Sequence, residues 1–177
     1  EYNNFEQLKK LVRSKDIGVI KMEVVRNKEP EDNFLQKVRN LANENNIVLI
    51  FDECTSGFRQ TFGGLHKHYG VEPDMAMFGK ALGNGYAITA IIGRREVMEY
   101  TQETFISSTF WTERIGPTAA LKTLEVMEQI ESWKIITQTG LKIRESWQQL
   151  ADKHSLNIEH WGLPALTGFT LKSERNL

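Results

Sequence analysis

Apolar positions recur with two periods along the first half of the chain. Phe5, Leu8, Leu11 and Val12 fall on one face of a helix that Asn4 can cap while Gln7 reaches back. The run from Ile17 to Val25 reads as a strand. A polar connection, Arg26 to Asp32, contains Pro30; Asn33 is then placed to cap a second helix with Phe34, Leu35, Val38, Leu41 and Ala42 as its stripe. Ile47 to Phe51 is an apolar run that stops abruptly at Asp52-Glu53. Strand, helix and strand of these lengths make a right-handed crossover unit. Met75 to Phe78 and Ile88 to Ile92 read as further short buried strands. The expected fold is α/β, with residues 17 to 92 forming half of a helix-covered, mostly parallel sheet.

After Arg94 the spacing turns helical, over Pro117 to Ile130 and again over Trp133 to His154. From Leu156 it becomes strand-like, with Ile158, Trp161, Leu166, Phe169 and Leu171 around the break at Gly162-Leu-Pro164. Residues 1 to 130 are therefore expected to form part of a large domain. Residues 131 to 177 are expected to supply a connecting helix and the beginning of a small α+β C-terminal domain. The chain lacks an initiating Met and stops inside that second pattern, so a longer gene product is expected.

Composition removes several functional classes. The 22 basic and 23 acidic residues leave a net charge of −1, with no basic block to follow a nucleic-acid backbone or an anionic membrane. No apolar stretch approaches the roughly 20 residues of a membrane span. The one cysteine, Cys54, cannot close a disulfide within the chain, which makes the cytoplasm the expected compartment. His66 and His68 lack a third ligand to complete a metal site and are expected at the surface. The four tryptophans, spread through the chain, are expected in the core or at an interface.

Candidate chemistry lies where strands end. Asp52 follows one apolar run and Lys80 follows another, so an acid and an amine arrive at the edge where open α/β sheets place ligands. An acid pair after a strand also suits a Mg²⁺-dependent nucleotide hydrolase using Asp52-Glu53. Its phosphate loop, however, would need Gly at position 74 and Ser or Thr at 81, where Asp74 and Ala81 stand. A dinucleotide fingerprint starting at Gly83 would need glycine at Ile88 and a helix after it. An aldehyde cofactor suits the pair better, because a lysine can condense with it while an aspartate holds a protonated ring nitrogen. A hydrolase and a catalytically silent structural piece stand as the alternatives.

Leu49-Ile-Phe-Asp52-Glu53-Cys54-Thr55-Ser-Gly57-Phe58-Arg59, Gly70-Val-Glu-Pro73-Asp74 and Phe78-Gly79-Lys80-Ala-Leu-Gly83-Asn84-Gly85 resemble the class III aminotransferases, over about residues 15 to 130. The resemblance implies part of the large domain of a fold-type I enzyme with pyridoxal 5'-phosphate as cofactor. It implies transfer of an amino group between an amine or amino acid and a carbonyl compound, by an aminotransferase or an aminomutase. Lys80 would be the lysine that holds the cofactor and moves the proton, and Asp52 the partner of the ring nitrogen. Cys54 falls where the family packs a valine against the ring. Thr109, with Ser108 beside it, matches the position that reaches the cofactor phosphate of a neighbouring subunit, implying a homodimer with shared sites. Glu23, Glu53 and Thr55 are supporting candidates; the family's Glu-Pro is Glu23-Val24 here. Many amine transaminases place Gln at the position of Thr55, whereas Gly57-Phe58-Arg59 resembles the glutamate-1-semialdehyde aminomutase branch and its relatives in surface-sugar pathways. The family's phosphate-binding Ser/Gly loop and ring-stacking aromatic are absent from these 177 residues, being expected upstream of them.

Overall fold

A computed structural model describes residues 1–25 and 27–172; Arg26, within the expected polar connection, and the last five residues lie outside the described set. Four strands, β1 (Val19–Glu23), β2 (Val48–Asp52), β3 (Met75–Phe78) and β4 (Ala90–Gly93), form a sheet in sequence order. The first three run parallel and β4 is antiparallel to β3. α1 (Phe5–Ser14) precedes β1, and α2 (Phe34–Glu44) and the short α3 (His66–Tyr69) lie between the strands; α4 (Arg95–Met98), α5 (Ile115–Ile130) and α6 (Ser132–Lys153) follow. β5 (Ile158–Trp161) and β6 (Gly168–Leu171) pair antiparallel in a separate sheet.

Strand alternation decides which side is core. Ile20, Leu49 and Phe51 are buried and join Val12 of α1 and Leu35, Val38, Leu41 and Ala42 of α2 in one cluster. Each such side chain, taken fully out of water, contributes roughly 1.5–3 kcal/mol. Ala76 and Phe78 meet Phe58, Leu82 and Ala120 of α5 in a second cluster. The opposite face, carrying Val19, Lys21, Ile50, Asp52, Met75, Met77 and Ile91, is half-buried to exposed among the described residues.

Several expectations are corrected. β1 is shorter than Ile17 to Val25, although Val24 and Val25 are buried beyond its end. Asn4 does cap α1, accepting from the Gln7 amide at 3.0 Å, but the Gln7 side chain takes the N-terminal amine instead of reaching back. Leu11 is nearly half exposed, so the stripe of α1 is narrower than its spacing suggested. Asn33 makes no side-chain cap bond; its backbone is left-handed, φ 57°, and Phe34 N–H closes a turn onto Glu31 O at 2.8 Å. The last strand of the main sheet spans Ala90–Gly93 rather than Ile88 to Ile92, and Ile91 and Ile92 are exposed on β4, the edge strand of the sheet. His66 is buried, not superficial.

Among the described residues, the C-terminal segment contributes one buried residue to this core. Leu163 is buried in the same cluster as Leu49 and Phe51. Gly140 lets α6 approach the turn Pro164–Leu166, since a Cβ there would fall 1.8 Å from Pro164 O. Arg144 of α6 then holds Thr167 Oγ1 at 2.6 Å and Gly162 O at 2.5 Å.

The parallel strands are pinned at their entry by Asp74. Its Oδ2 accepts from Leu49 N–H and Arg39 Nη1, both at 2.8 Å, and its Oδ1 accepts from Arg94 Nη1 at 3.1 Å. Burial alone would raise this carboxyl; the Leu49 amide and the Arg39 guanidinium outweigh it and hold it below its ordinary range. Asp74→Asn removes the charge and strands Arg39, which is largely buried. A loss of about 3–5 kcal/mol is expected, the cost of breaking a buried pair from one side, read as a drop in the urea midpoint at unchanged slope.

Candidate active site

Three parallel strands deliver their C-terminal residues to one edge. Glu23 ends β1 in register with Asp52, and Asp52 ends β2 in register with Met77. One residue beyond β3, Gly79 is extended and Lys80 turns sharply, with φ 42°, into a 3₁₀ turn, Lys80–Leu82. Gly83 closes it: a Cβ there would sit 2.2 Å from Tyr86 O. The turn swings the Lys80 amine back over the loop after β2, where Nζ donates to Thr55 Oγ1 at 2.7 Å. Lys80 is exposed at that position.

Asp52 is held from two sides. Oδ1 accepts from Cys54 N–H at 3.1 Å, and Oδ2 pairs with Lys21 Nζ at 3.0 Å. Burial works to raise its carboxyl, but the Lys21 hydrogen bond and those from Cys54 prevail and lower it, so Asp52 is anionic at neutral pH. The Cys54 thiol moves the other way, pushed up by burial and then by its hydrogen bond to Asp52, against the pull of Lys80 and Lys21. That suits a packing role better than a nucleophilic one.

Glu53 points elsewhere. It is buried, with Oε2 accepting from Ser56 Oγ at 2.5 Å and Oε1 accepting from His66 N–H at 2.9 Å and facing His66 Nδ1 at 2.9 Å. The backbone then wraps so tightly, Gly57 N–H to Glu53 O at 2.8 Å, that a Cβ at Gly57 would lie 2.7 Å from that carbonyl. Glu53 therefore organises the loop that carries Thr55 and does not converge with Asp52, as a shared Mg²⁺ site would require.

Glu23, Asp52, Cys54, Thr55 and Lys80 are thus brought together. Ser108 and Thr109 lie apart, on an exposed loop before α5. Ser108 lines an open cleft of about 540 Å³ with Tyr86, Thr89 and Trp111, while neither it nor Thr109 shares a described hydrogen bond with Asp52 or Lys80. A larger groove, about 810 Å³, runs along α5 from Arg114 to Ile130 and touches none of the five. Among the described residues, no group of three or more His, Cys, Asp or Glu side chains is arranged to hold a metal, and no helix is long and apolar enough to cross a membrane.

Sequence reasoning missed Lys21, Asp74 as an anchor, and the buried His66. Lys21 left a signal: a lone charge inside an apolar strand run, two positions before Glu23 and hence on its face of the sheet.

Profile comparison matches residues 5–176 to aminotransferase class-III. The chain belongs to that family. It is 37% identical over 146 residues to the 3-aminobutyryl-CoA aminotransferase of Cloacimonas acidaminovorans (strain Evry), covering 82% of this chain and 35% of that protein. It is 39% identical over 140 residues to the glutamate-1-semialdehyde 2,1-aminomutase of Nitrosopumilus maritimus (strain SCM1), covering 75% of this chain and 33% of that protein. The class III chain therefore spans about a third of the length of these curated relatives. In fold it is similar to the Sphingopyxis sp. MTA144 FumI protein, solved in its PLP internal aldimine form, with TM-score 0.92 and 22% identity over 98% of this chain and 44% of that one. An omega-transaminase from Sphaerobacter thermophilus gives TM-score 0.87 at 22% identity, over 98% and 42%. These likenesses show the fold-type I architecture.

The buried, hydrogen-bonded Glu53 contributes to the response to acid. Glu53 is lowered in the fold: burial opposes its charge, but the bonds from His66 and Ser56 win. Its stabilisation is present above the unfolded carboxyl value and fades as pH falls through the lower folded one. Glu53→Gln should therefore cost stability at neutral pH, with the gap to the unaltered protein narrowing as pH falls below the unfolded carboxyl value, as measured by urea unfolding at successive pH values.

Proposed function

We propose that the protein uses pyridoxal 5'-phosphate to transfer an amino group between an amine or amino acid and a carbonyl compound. The observation that carries this reading is the Lys80 amine and the Asp52 carboxylate at the C-terminal ends of neighbouring parallel strands, in a class III chain. The donor set fits the cofactor: an amine to hold its aldehyde, an anionic carboxylate for its ring nitrogen, and a small uncharged thiol between them. When bound, pyridoxal phosphate supplies an aldehyde that takes up amino groups and a ring that withdraws electrons.

The rest of the work falls to the chain. Lys80 Nζ would hold the cofactor and would move a proton at the substrate carbon. Thr55 Oγ1 fixes the direction from which that amine operates. Asp52 would orient the ring and balance its charge, with Glu23 in register beside it and Cys54 available to pack against the ring. Ser108 and Thr109 serve the phosphate of a second copy, supported by the exposure of their loop together with Phe105, Phe110 and Trp111. The active assembly in this reading is a homodimer. Its substrate is a small amine or amino acid; relatives bearing both aminotransferase and aminomutase names, with Gly57-Phe58-Arg59 in this chain, favour the aminomutase-like branch. A single cysteine in 177 residues supports a cytoplasmic setting.

Borohydride reduction of the cofactor-loaded protein, followed by peptide mapping, should place the label on Lys80; a label on another lysine, such as Lys67, refutes the assignment. Lys80→Ala should lower amine transfer by at least the roughly 10²–10⁴ ascribed to a positioned acid-base group. Asp52→Asn should retain covalent loading yet transfer amine poorly. For the dimer, Lys80→Ala and Thr109→Ala subunits are co-expressed with different tags and the heterodimer is purified. Partial recovery of activity is expected, since one site then holds Lys80 and Thr109 from different copies. No recovery would place Thr109 in its own subunit's site or outside it.

A further inference from the structure

The Asp52 carboxylate already has a cation. Lys21 Nζ lies 3.0 Å from Oδ2, and the opposite oxygen is taken by the Cys54 amide. The contact follows from register. Lys21 stands beside Ile50 and Glu23 beside Asp52 on adjacent parallel strands, so alternation puts Lys21, Glu23 and Asp52 on one face, with the ammonium diagonal to the carboxylate. Among the described residues, the other charged or titratable groups around Asp52 are Glu23 from β1, the Cys54 thiol from the loop, and Lys80 from the turn after β3. Lys21 is, among the described residues, the cation in direct contact, on a side chain about half exposed, while Asp52 is mostly covered.

We propose that Lys21 is the standing counter-ion of Asp52, sharing that carboxylate with the ring nitrogen of the bound cofactor and loosening the nitrogen's hold on its proton. This rests on the pyridoxal-phosphate reading and adds to it a positioning residue that acts through Asp52. An aspartate facing one cation stabilises a protonated ring fully. The same aspartate facing an ammonium as well gives the ring less, and the ammonium repels the ring's positive charge directly. A ring protonated less firmly withdraws electrons less strongly, so Lys21 moderates the proton removal that Lys80 performs.

The test replaces Lys21 by Met, which keeps the stem and removes the charge, and by Arg, which restores it. In the cofactor-free protein, ¹³C NMR of labelled Asp52 should show its carboxyl titrating at higher pH in Lys21→Met and returning toward the unaltered value in Lys21→Arg. In the protein loaded with ¹⁵N-labelled pyridoxal phosphate, the ring nitrogen of Lys21→Met should stay protonated to higher pH. A shift of about tenfold in the protonation ratio is expected, the lower end for a charge removed from within a few ångströms. Lys21→Arg should reverse it. Loading with an unmoved ring-nitrogen titration would overturn the inference alone. Failure of the unaltered full-length protein to take up pyridoxal phosphate would overturn the cofactor reading, and the inference with it. A shift that Lys21→Arg does not reverse would assign the effect to packing of the strand and overturn the counter-ion role.

Discussion

Asp74 is the contact on which the geometry of the site depends, although it stands at the far end of the sheet. One carboxylate binds the backbone of β2, a guanidinium from α2 and a guanidinium from the segment after β4. Its own backbone closes the lattice, with Asp74 N–H on Leu49 O and Arg94 N–H on Asp74 O, both at 2.9 Å. Parallel strands slide by whole residues or not at all, because a shift of one reverses every side chain. Fixing β3 against β2 at the entry therefore fixes where both strands finish, and with that the placement of Asp52 relative to Lys80.

Neighbouring carboxylates at the exit of β2 show how backbone direction sorts similar chemistry. Asp52 is the last residue of the pleat and stays on the half-open face, beside Lys21. Glu53 has left the strand and turns inward, where a histidine, a serine hydroxyl and a backbone amide satisfy it. One acid is kept available and the other supports the loop. The cost of burying Glu53 is offset by hydrogen bonds that also hold Thr55 and Gly57 in the turn to which Lys80 is tethered.

Much of this was legible in the sequence because it follows from period and punctuation. The α2 stripe from Phe34 to Ala42 is buried as its spacing required, and the runs before Asp52 and Gly79 are the strands that carry the candidate site. The misreadings came from properties that only neighbours determine. β4 is apolar enough for a core yet sits at an open edge, so composition could not reveal its exposure. His66 is polar by type but buried because Glu53 lies within reach across a thirteen-residue separation. Asn33 has the right chemistry for a cap and the wrong backbone, φ 57°, to aim it. Lys21 was overlooked because a strand's charged residue is usually solvated, whereas here alternation places it beside an acid from the next strand.

The backbone at Lys80 carries a further consequence. With φ 42° it lies in the left-handed region, where a residue with a Cβ pays about 1–2 kcal/mol relative to the ordinary conformation. Glycine would occupy the same turn without that penalty. The fold by itself would accept a glycine here more readily than a lysine, so stability and chemistry pull in opposite directions at this residue. Selection for thermal resistance alone, with no demand for activity, would have an incentive to discard the very side chain that the strand was shaped to present.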